Sequence, residues 1–250
     1  MIGGIAEALA FGGLPFLIGA VVVSGVVRGF TGFGTALIYV PIASSVLPPL
    51  LVVVSLIVFD VLGAMPLTPR ALRDGAPREV AWMMPATLVG LVAGLWVLTR
   101  MDPVVFRWII CVTALVLLVV LASGWRYHGR LGGTARSGVG AAAGFFGGVS
   151  GAAGPPVILF YMGGTRGAAL IRANILLFLI LTDVVYIAVL GSRGLLDPFA
   201  VAIGLLLIVP YALGGLIGQA VFDPAREGLY RGVSYVVIAG AALVGLPLFD

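Results

Sequence analysis

The sequence predicts an all-α polytopic membrane protein, and three observations carry this prediction. The chain of 250 residues is 61% hydrophobic and only 10% charged, whereas a water-soluble domain carries about a quarter charged residues. Apolar stretches long enough to span a bilayer recur at 82–98, 104–123, 170–190 and 200–222. The alternating pattern of an outer-membrane barrel does not occur along the chain.

An internal repeat indicates how the chain is organised. The stretch GVVRGFTGFG at 25–34 aligns with GFFGGVSGAA at 144–153, at an offset of 144 − 25 = 119. Further matches follow in the same order, namely Asp60 with Asp183, PATLVGLVAG (85–94) with PYALGGLIG (210–218), Asp102-Pro103 with Asp223-Pro224, and FR (106–107) with YR (230–231). Each Asp-Pro pair is predicted to cap the last helix of its repeat, with proline as the first helical residue. We therefore infer two transmembrane repeats, 1–123 and 138–250, joined by a polar loop at 124–137 that is predicted to be cytoplasmic.

Each repeat contains five apolar segments. They are predicted at 13–27, 33–47, 50–67, 79–98 and 104–122, and at 136–147, 155–163, 168–190, 198–222 and 228–248. The first two segments of each repeat are short for a span of about 20 residues, which predicts a broken helix or re-entrant hairpin with a glycine-rich tip inside the membrane. An odd number of segments makes the two repeats inverted, as in many secondary transporters.

The arginines predict the orientation of the chain. Eight arginines fall in loops on one predicted side, namely Arg70, Arg73, Arg78, Arg126, Arg130, Arg136, Arg166 and Arg226, and two fall on the other, Arg100 and Arg193. By the positive-inside rule the first side is cytoplasmic and both termini are outside. Because these arginines stand singly in loops, the net charge of +4 does not indicate a nucleic-acid partner.

The glycine-rich tips predict a site for an anion. Irregular backbone survives at membrane depth only where it is buried in protein or lines a cavity, and a helix that begins there presents N–H groups and a partial positive charge. The predicted substrate-binding residues are Arg28, Gly29, Phe30, Thr31, Gly32, Phe33, Gly34, Gly148, Ser150, Gly151, Ala152 and Gly154, with Thr31 and Ser150 as hydroxyl donors. The alternative is that the glycines only allow close helix packing, the interpretation we favour at Gly90/Gly94 and Gly214/Gly218.

Three charged residues in apolar segments are candidates for function. Arg28 corresponds to Gly147 in the second repeat, so the repeated fold does not require this charge, and intramembrane arginines are expensive and usually functional. Arg28 either pairs with the substrate anion or forms a structural ion pair with Asp60 or Asp183. The two aspartates are candidate proton carriers for coupling or gating, or else hydrogen bond a helix to the tip.

The tip motifs, GVVRGFTGFGTALIYVP and GFFGGVSGAAGPPVILFYM, resemble those of the sulfite exporter TauE/SafE family, also called the 4-toluene sulfonate uptake permeases. The resemblance implies a secondary transporter for small sulfur-containing anions, such as sulfite, sulfoacetate and other organosulfonates, in the bacterial inner membrane. Both export and uptake are assigned within that family. One departure is that Ala152-Ala153 stands where the first tip has Phe33-Gly34.

The sequence is also compatible with two other functions. An anion channel and a transporter of a non-sulfur organic anion remain alternatives, and we expect proton coupling if the protein works in uptake. The G-x-G-D signature of an intramembrane aspartyl protease does not occur, and no enzymatic constellation, cofactor or metal site is predicted. The expected partners are a small anion and the lipid bilayer, with a homodimer left open.

Overall fold

The computed structural model describes residues 2–65, 68–123, 132–162, 167–223 and 226–248. These residues form twelve helices and no strand. The helices are Ile2–Ala10 (α1), Leu14–Thr31 (α2), Thr35–Ala43 (α3), Pro49–Ala64 (α4), Thr68–Asp74 (α5), Pro77–Leu98 (α6), Pro103–Ala122 (α7), Gly133–Ser150 (α8), Gly154–Met162 (α9), Ala168–Ser192 (α10), Pro198–Val221 (α11) and Glu227–Gly245 (α12).

Six of these helices are long and apolar enough to cross a membrane. They comprise α2, α6, α7, residues Leu170–Ser192 of α10, α11 and residues Gly228–Gly245 of α12. Helices α4 and α5 make a seventh candidate if they are taken together as one bent span. The prediction of an all-α polytopic membrane protein is therefore confirmed.

The helices that lead into the two tips differ from the predicted segments at their boundaries. Helix α2 continues through Arg28 to Thr31 and α8 continues to Ser150, whereas the sequence predicted that these segments end at 27 and 147. The irregular backbone between the paired helices is thereby reduced to 32–34 and 151–153. Helices α1 and α5 were not predicted, because neither has the length of a span.

Glycine in a left-handed conformation ends both α2 and α8. Gly32 has φ 81° and donates its N–H to Arg28 O at 2.7 Å. Gly151 has φ 72° and donates its N–H to Gly147 O at 2.6 Å. An L-residue with a side chain rarely adopts this conformation, which explains why glycine stands at both positions. The two glycines are 119 residues apart and match in the alignment, so α2 and α8 end in the same way.

Four other glycines of the tip motifs, Gly25, Gly29, Gly144 and Gly148, lie inside helices, where they allow close packing. A Cβ atom added at Gly144 of α8 would lie 2.0 Å from Thr87 O, and one at Gly90 of α6 would lie 2.1 Å from Ala141 O. The α2–α11 pair is built in the same way, since a Cβ at Gly218 would lie 2.2 Å from Val26 O. Packing is therefore confirmed at Gly90/Gly94 and Gly214/Gly218, and it explains why α2 and α8 stay helical through their glycines.

Each of these glycine contacts joins one half of the sequence to the other, because α6 packs on α8 and α11 packs on α2. The loop predicted at 124–137 falls mainly on 124–131, outside the described residues. Arg126, Arg130 and Arg166 of the orientation argument also lie outside them.

Two aspartates cap long helices. Asp102 Oδ1 accepts the Val104 N–H of α7 at 2.9 Å, as its position before Pro103 predicted. Asp197 caps α11 in the same way and was not predicted. The corresponding prediction at Asp223-Pro224 cannot be compared, since Pro224 lies outside the described residues.

Candidate functional site

The first turns of α3 and α9 line one cavity of about 40 Å³, which is room for about three water molecules. Both tips contribute to its wall. Among the predicted site residues, the cavity is lined by Arg28, Phe33, Gly34, Asp60, Gly151, Ala152, Gly154 and Asp183. The structure thus brings all three charged candidates and both tips to the same cavity.

Arg28 forms an ion pair with Asp60 at the cavity wall. Its Nη1 donates to Asp60 Oδ1, and the two side chains are 11% and 12% exposed. The same nitrogen lies 3.3 Å from Thr35 Oγ1. The other guanidinium nitrogen, Nη2, is buried and has no hydrogen-bond partner. Arg28 therefore pairs with an aspartate and still holds an unused donor.

Tyr211 of α11 completes this network. Its hydroxyl donates to Asp60 Oδ1 at 2.6 Å and lies 2.9 Å from Thr35 Oγ1. Its ring centroid lies 5.9 Å from the Arg28 Cζ, within the range of a cation–π contact. Four helices, α2, α3, α4 and α11, thereby meet at one carboxylate.

Sequence reasoning missed both Thr35 and Tyr211. Tyr211 lies in the repeated stretch at 210–218, but an apolar helix gives no amphipathic pattern to show which face carries the site. Thr35 is the first residue of α3 and follows the glycines directly. The TGFGT pattern at 31–35 was the available signal, since Thr is common at helix starts.

Asp183 supplies a second carboxylate. It is 8% exposed, and it lines the same cavity as Asp60 and Arg28, with which it interacts electrostatically. One turn further along α10, Tyr186 donates to Gly148 O at 2.6 Å, which fixes α10 against the end of α8. The site therefore contains one permanent cation and two carboxyl groups.

The two predicted hydroxyl donors hold their own tips together. Thr31 Oγ1 lies 2.7 Å from Val27 O and accepts the Phe33 N–H at 3.3 Å. Ser150 Oγ donates to Phe146 O at 2.8 Å and accepts the Ala152 N–H at 3.3 Å. Both hydroxyls thus stabilise the turn that ends a helix, and neither is among the described residues that line the cavity.

Four further predicted residues, all in described parts of the chain, lie behind the cavity wall. Gly29 packs against the Gly215 backbone of α11, and Gly148 packs against the Leu91 backbone of α6. The Phe30 ring lies 5.4 Å from that of Tyr230, and Gly32 forms the helix end described above. These residues support the site by positioning α2 and α8.

The two short helices differ in what their backbones can donate. Helix α3 begins TAL, so its first-turn N–H groups are free of intrahelical partners. Helix α9 begins Gly154-Pro155-Pro156, and proline has no N–H. The first tip therefore offers more backbone donors to an anion than the second.

A second cavity, of about 60 Å³, lies next to the first and shares the wall residues Ala36, Leu37 and Ala152. Its lining comes from α3, α7 and α8 and is almost entirely apolar, with Ser150 among its few polar residues. The charged cavity, rather than this apolar one, contains the chemistry that can recognise an anion.

The family of the chain follows from comparison with known proteins. The family model of the sulfite exporter TauE/SafE matches residues 17–245, a range that contains both tips and all three charged residues of the cavity. Comparison with curated proteins and with solved structures gives no match. The chain belongs to the TauE/SafE sulfite exporter family.

Proposed function

We propose that the protein is a secondary active transporter that moves a small sulfur-containing anion, such as sulfite, sulfoacetate or another organosulfonate, across the bacterial inner membrane. Its family is a transporter family, so an enzymatic activity is not expected. The observation that carries the proposal is a buried arginine, Arg28, in the wall of a small cavity lined by the starts of two short helices. An arginine beside free helix N–H groups is a site suited to an oxyanion.

We propose further that the two halves of the chain are inverted repeats and that the cavity lies between them near the bilayer midplane, as in other secondary transporters. The reciprocal packing of α6 on α8 and of α11 on α2 supports this arrangement. So do the left-handed glycines, Gly32 and Gly151, at matching positions. A rocking motion of one half against the other around a fixed site would open the cavity to each side of the membrane in turn.

The two carboxyl groups provide a means of proton coupling. Two adjacent carboxylates and one guanidinium in a buried site carry one excess negative charge, which a transported proton would balance. The added proton would weaken the ion pair between Asp60 and Arg28, so the anion would bind Arg28 more tightly. Anion and proton would then bind together. Uptake needs such a companion cation, because the membrane potential drives an anion outward by ~2.3 kcal/mol per 100 mV.

Flux measurements on reconstituted protein test the proposal. Proteoliposomes would be supplied with radiolabelled sulfite and, as competitors, sulfoacetate, taurine and sulfate, with and without an imposed pH gradient. We expect saturable flux that a pH gradient, acidic on the side of entry, accelerates. Flux that rises linearly with sulfite concentration and does not depend on the pH gradient would indicate an anion channel instead.

A further inference from the structure

Two polar groups at the cavity have unused hydrogen-bonding capacity within the described part of the chain. Arg28 Nη2 is a buried donor without an acceptor. Asp183 lines the cavity beside Asp60 and Arg28, and no described side chain or backbone N–H donates a hydrogen bond to its carboxyl group. Buried polar groups are nearly always hydrogen-bonded, so a ligand that fits this cavity has to satisfy both of them.

We propose that the cavity selects a compact anion that carries its own hydrogen-bond donor. The anionic oxygens bind Arg28, and an O–H or N–H group on the same molecule donates to Asp183. This inference rests on the proposed function, because it specifies which anions the same site accepts. Hydrogen sulfite and small amino-substituted sulfonates meet the requirement, whereas sulfate, dianionic sulfoacetate and alkyl sulfonates without a donor do not. The donor requirement therefore narrows the proposed substrates to the first group.

The proposal holds for either protonation state of Asp183. An ionised carboxylate accepts through both oxygens, and a protonated one that donates to Asp60 still accepts through its carbonyl oxygen. Asp60 is less suited to this role, because its Oδ1 already accepts from Arg28 and from the Tyr211 hydroxyl. Asp183 is therefore the acceptor that the ligand meets.

The size of the cavity strengthens the selection. Because the cavity has room for only about three water molecules, a bound anion leaves little space in it for a water that could bridge to Asp183. An anion without a donor would then place its own oxygens or a methyl group against the acceptor. A site built around a hydrogen bond discriminates strongly against an analogue that cannot make it.

Two probe anions separate this proposal from simple charge recognition. Sulfamate and methanesulfonate have the same charge, nearly the same size and the same tetrahedral sulfur, and differ in an amino group that replaces a methyl group. Binding of each to the purified full-length protein would be measured by the thermal shift in detergent and by competition with radiolabelled sulfite. We expect sulfamate to bind at least about 10-fold more tightly, the effect of one hydrogen bond to a charged group.

A matched pair of variants locates the preference. Asp183→Ala removes the acceptor and leaves the cavity open, and we expect it to bind the two probes equally. Thr182→Ala truncates the preceding residue, whose hydroxyl is buried without a partner, and we expect it to keep the preference. If Asp183→Ala does not fold, the comparison of the two probes on the unmodified protein still decides.

The outcomes distinguish this proposal from the transport function on which it rests. Equal binding of the two probes, tighter binding of methanesulfonate, or binding of sulfite without binding of sulfamate overturns the donor requirement and leaves an anion transporter. If neither sulfite nor either probe binds, both the donor requirement and the proposed function fail.

Discussion

Tyr211 donates a 2.6 Å hydrogen bond to the carboxylate of Asp60 and thereby joins α11 to α4 at the cavity. The same hydroxyl lies 2.9 Å from Thr35 Oγ1, at the start of α3. The tyrosine therefore fixes the Asp60 carboxylate that pairs with Arg28. It also contacts α3, whose first turn lines the cavity. A displacement of α11 relative to α4 would change the position of Asp60 and with it the availability of Arg28.

The first prediction concerns this tyrosine. Tyr211→Phe removes the hydroxyl but keeps the ring that packs beside Gly63 and Phe59. Loss of a hydrogen bond to a charged group costs about 1.5–3 kcal/mol, so we expect a lower unfolding temperature together with a changed apparent affinity for sulfite. Both quantities are measurable on the same preparation, by thermal unfolding in detergent and by proteoliposome flux.

Tyr39→Phe is the matched control for that variant. Tyr39 is fully buried and hydrogen-bonds Ser55 at 2.9 Å, away from the residues that line the cavity. We expect this variant to lose stability without a change in affinity for the anion. Equal effects of the two substitutions on transport would show that the Tyr211 hydroxyl acts only through the stability of the fold.

The second prediction concerns the buried ion pair. Arg28→Gln leaves Asp60 without its cation, and breaking one partner of a buried pair costs about 3–5 kcal/mol. Adding Asp60→Asn removes the uncompensated charge, so we expect the double variant to regain most of the lost stability. Sulfite transport should be lost in both variants, because neither has a cation at the cavity.

The unfolding temperatures and initial sulfite fluxes of the unmodified protein, Arg28→Gln, Asp60→Asn and the double variant form a complete cycle. A double variant whose loss of stability equals the sum of the two single losses would show that the two residues are not energetically coupled. Sulfite transport by the double variant with unchanged apparent affinity would assign anion recognition to the backbone of the tips alone.

The third prediction concerns the glycine contact between α6 and α8. The Cβ of Gly144→Ala would lie 2.0 Å from Thr87 O, so the two helices have to move apart, and overpacking costs about 1–3 kcal/mol. Gly240→Ala in α12 is the control, because its Cβ meets nothing within 4 Å. Thermal unfolding should show destabilisation for Gly144→Ala and none for Gly240→Ala. A similar result for both would remove close helix approach as the reason for this glycine.

The class of the protein and the residues that meet at the cavity were predictable for separate reasons. Near-continuous apolar stretches require a membrane environment whatever their tertiary contacts, so composition was sufficient for the fold class. Arg28, Asp60 and Asp183 could be found because a charge in an apolar helix is costly and needs a partner. Their common location was implied by the tip motifs beside them.

The partners of these charges were not predictable in the same way. Whether Arg28 faces Asp60, Asp183 or a ligand depends on helix rotation, which a uniformly apolar helix does not encode in its pattern. Tyr211 was missed for that reason. The ends of α2 and α8 were placed too early because Gly25, Gly29, Gly144 and Gly148 were taken to interrupt the helices, whereas the packing of α11 and α6 against them keeps them helical.

The last prediction concerns proton coupling through Asp183. The charged and titratable groups around it are Asp60 on α4, Arg28 on α2 and Tyr186 on its own helix. Asp183→Asn keeps the shape of the side chain and an acceptor oxygen but cannot carry a proton. We expect uptake driven by an inward proton gradient to be abolished, so that acidifying the outside no longer accelerates entry. Exchange of labelled for unlabelled sulfite should persist, since Arg28 is unchanged and asparagine still accepts a hydrogen bond from the anion.

Asp197→Asn provides the control for this variant, because Asp197 caps α11 and asparagine caps helices about as well as aspartate. That variant should retain both activities. Initial rates of gradient-driven uptake and of sulfite exchange, compared in the same vesicles, separate coupling from binding. Loss of both activities in Asp183→Asn, with the protein still monodisperse, would assign Asp183 to binding or folding. Gradient-driven uptake at the unmodified rate would remove it from the coupling mechanism and leave Asp60 as the proton carrier.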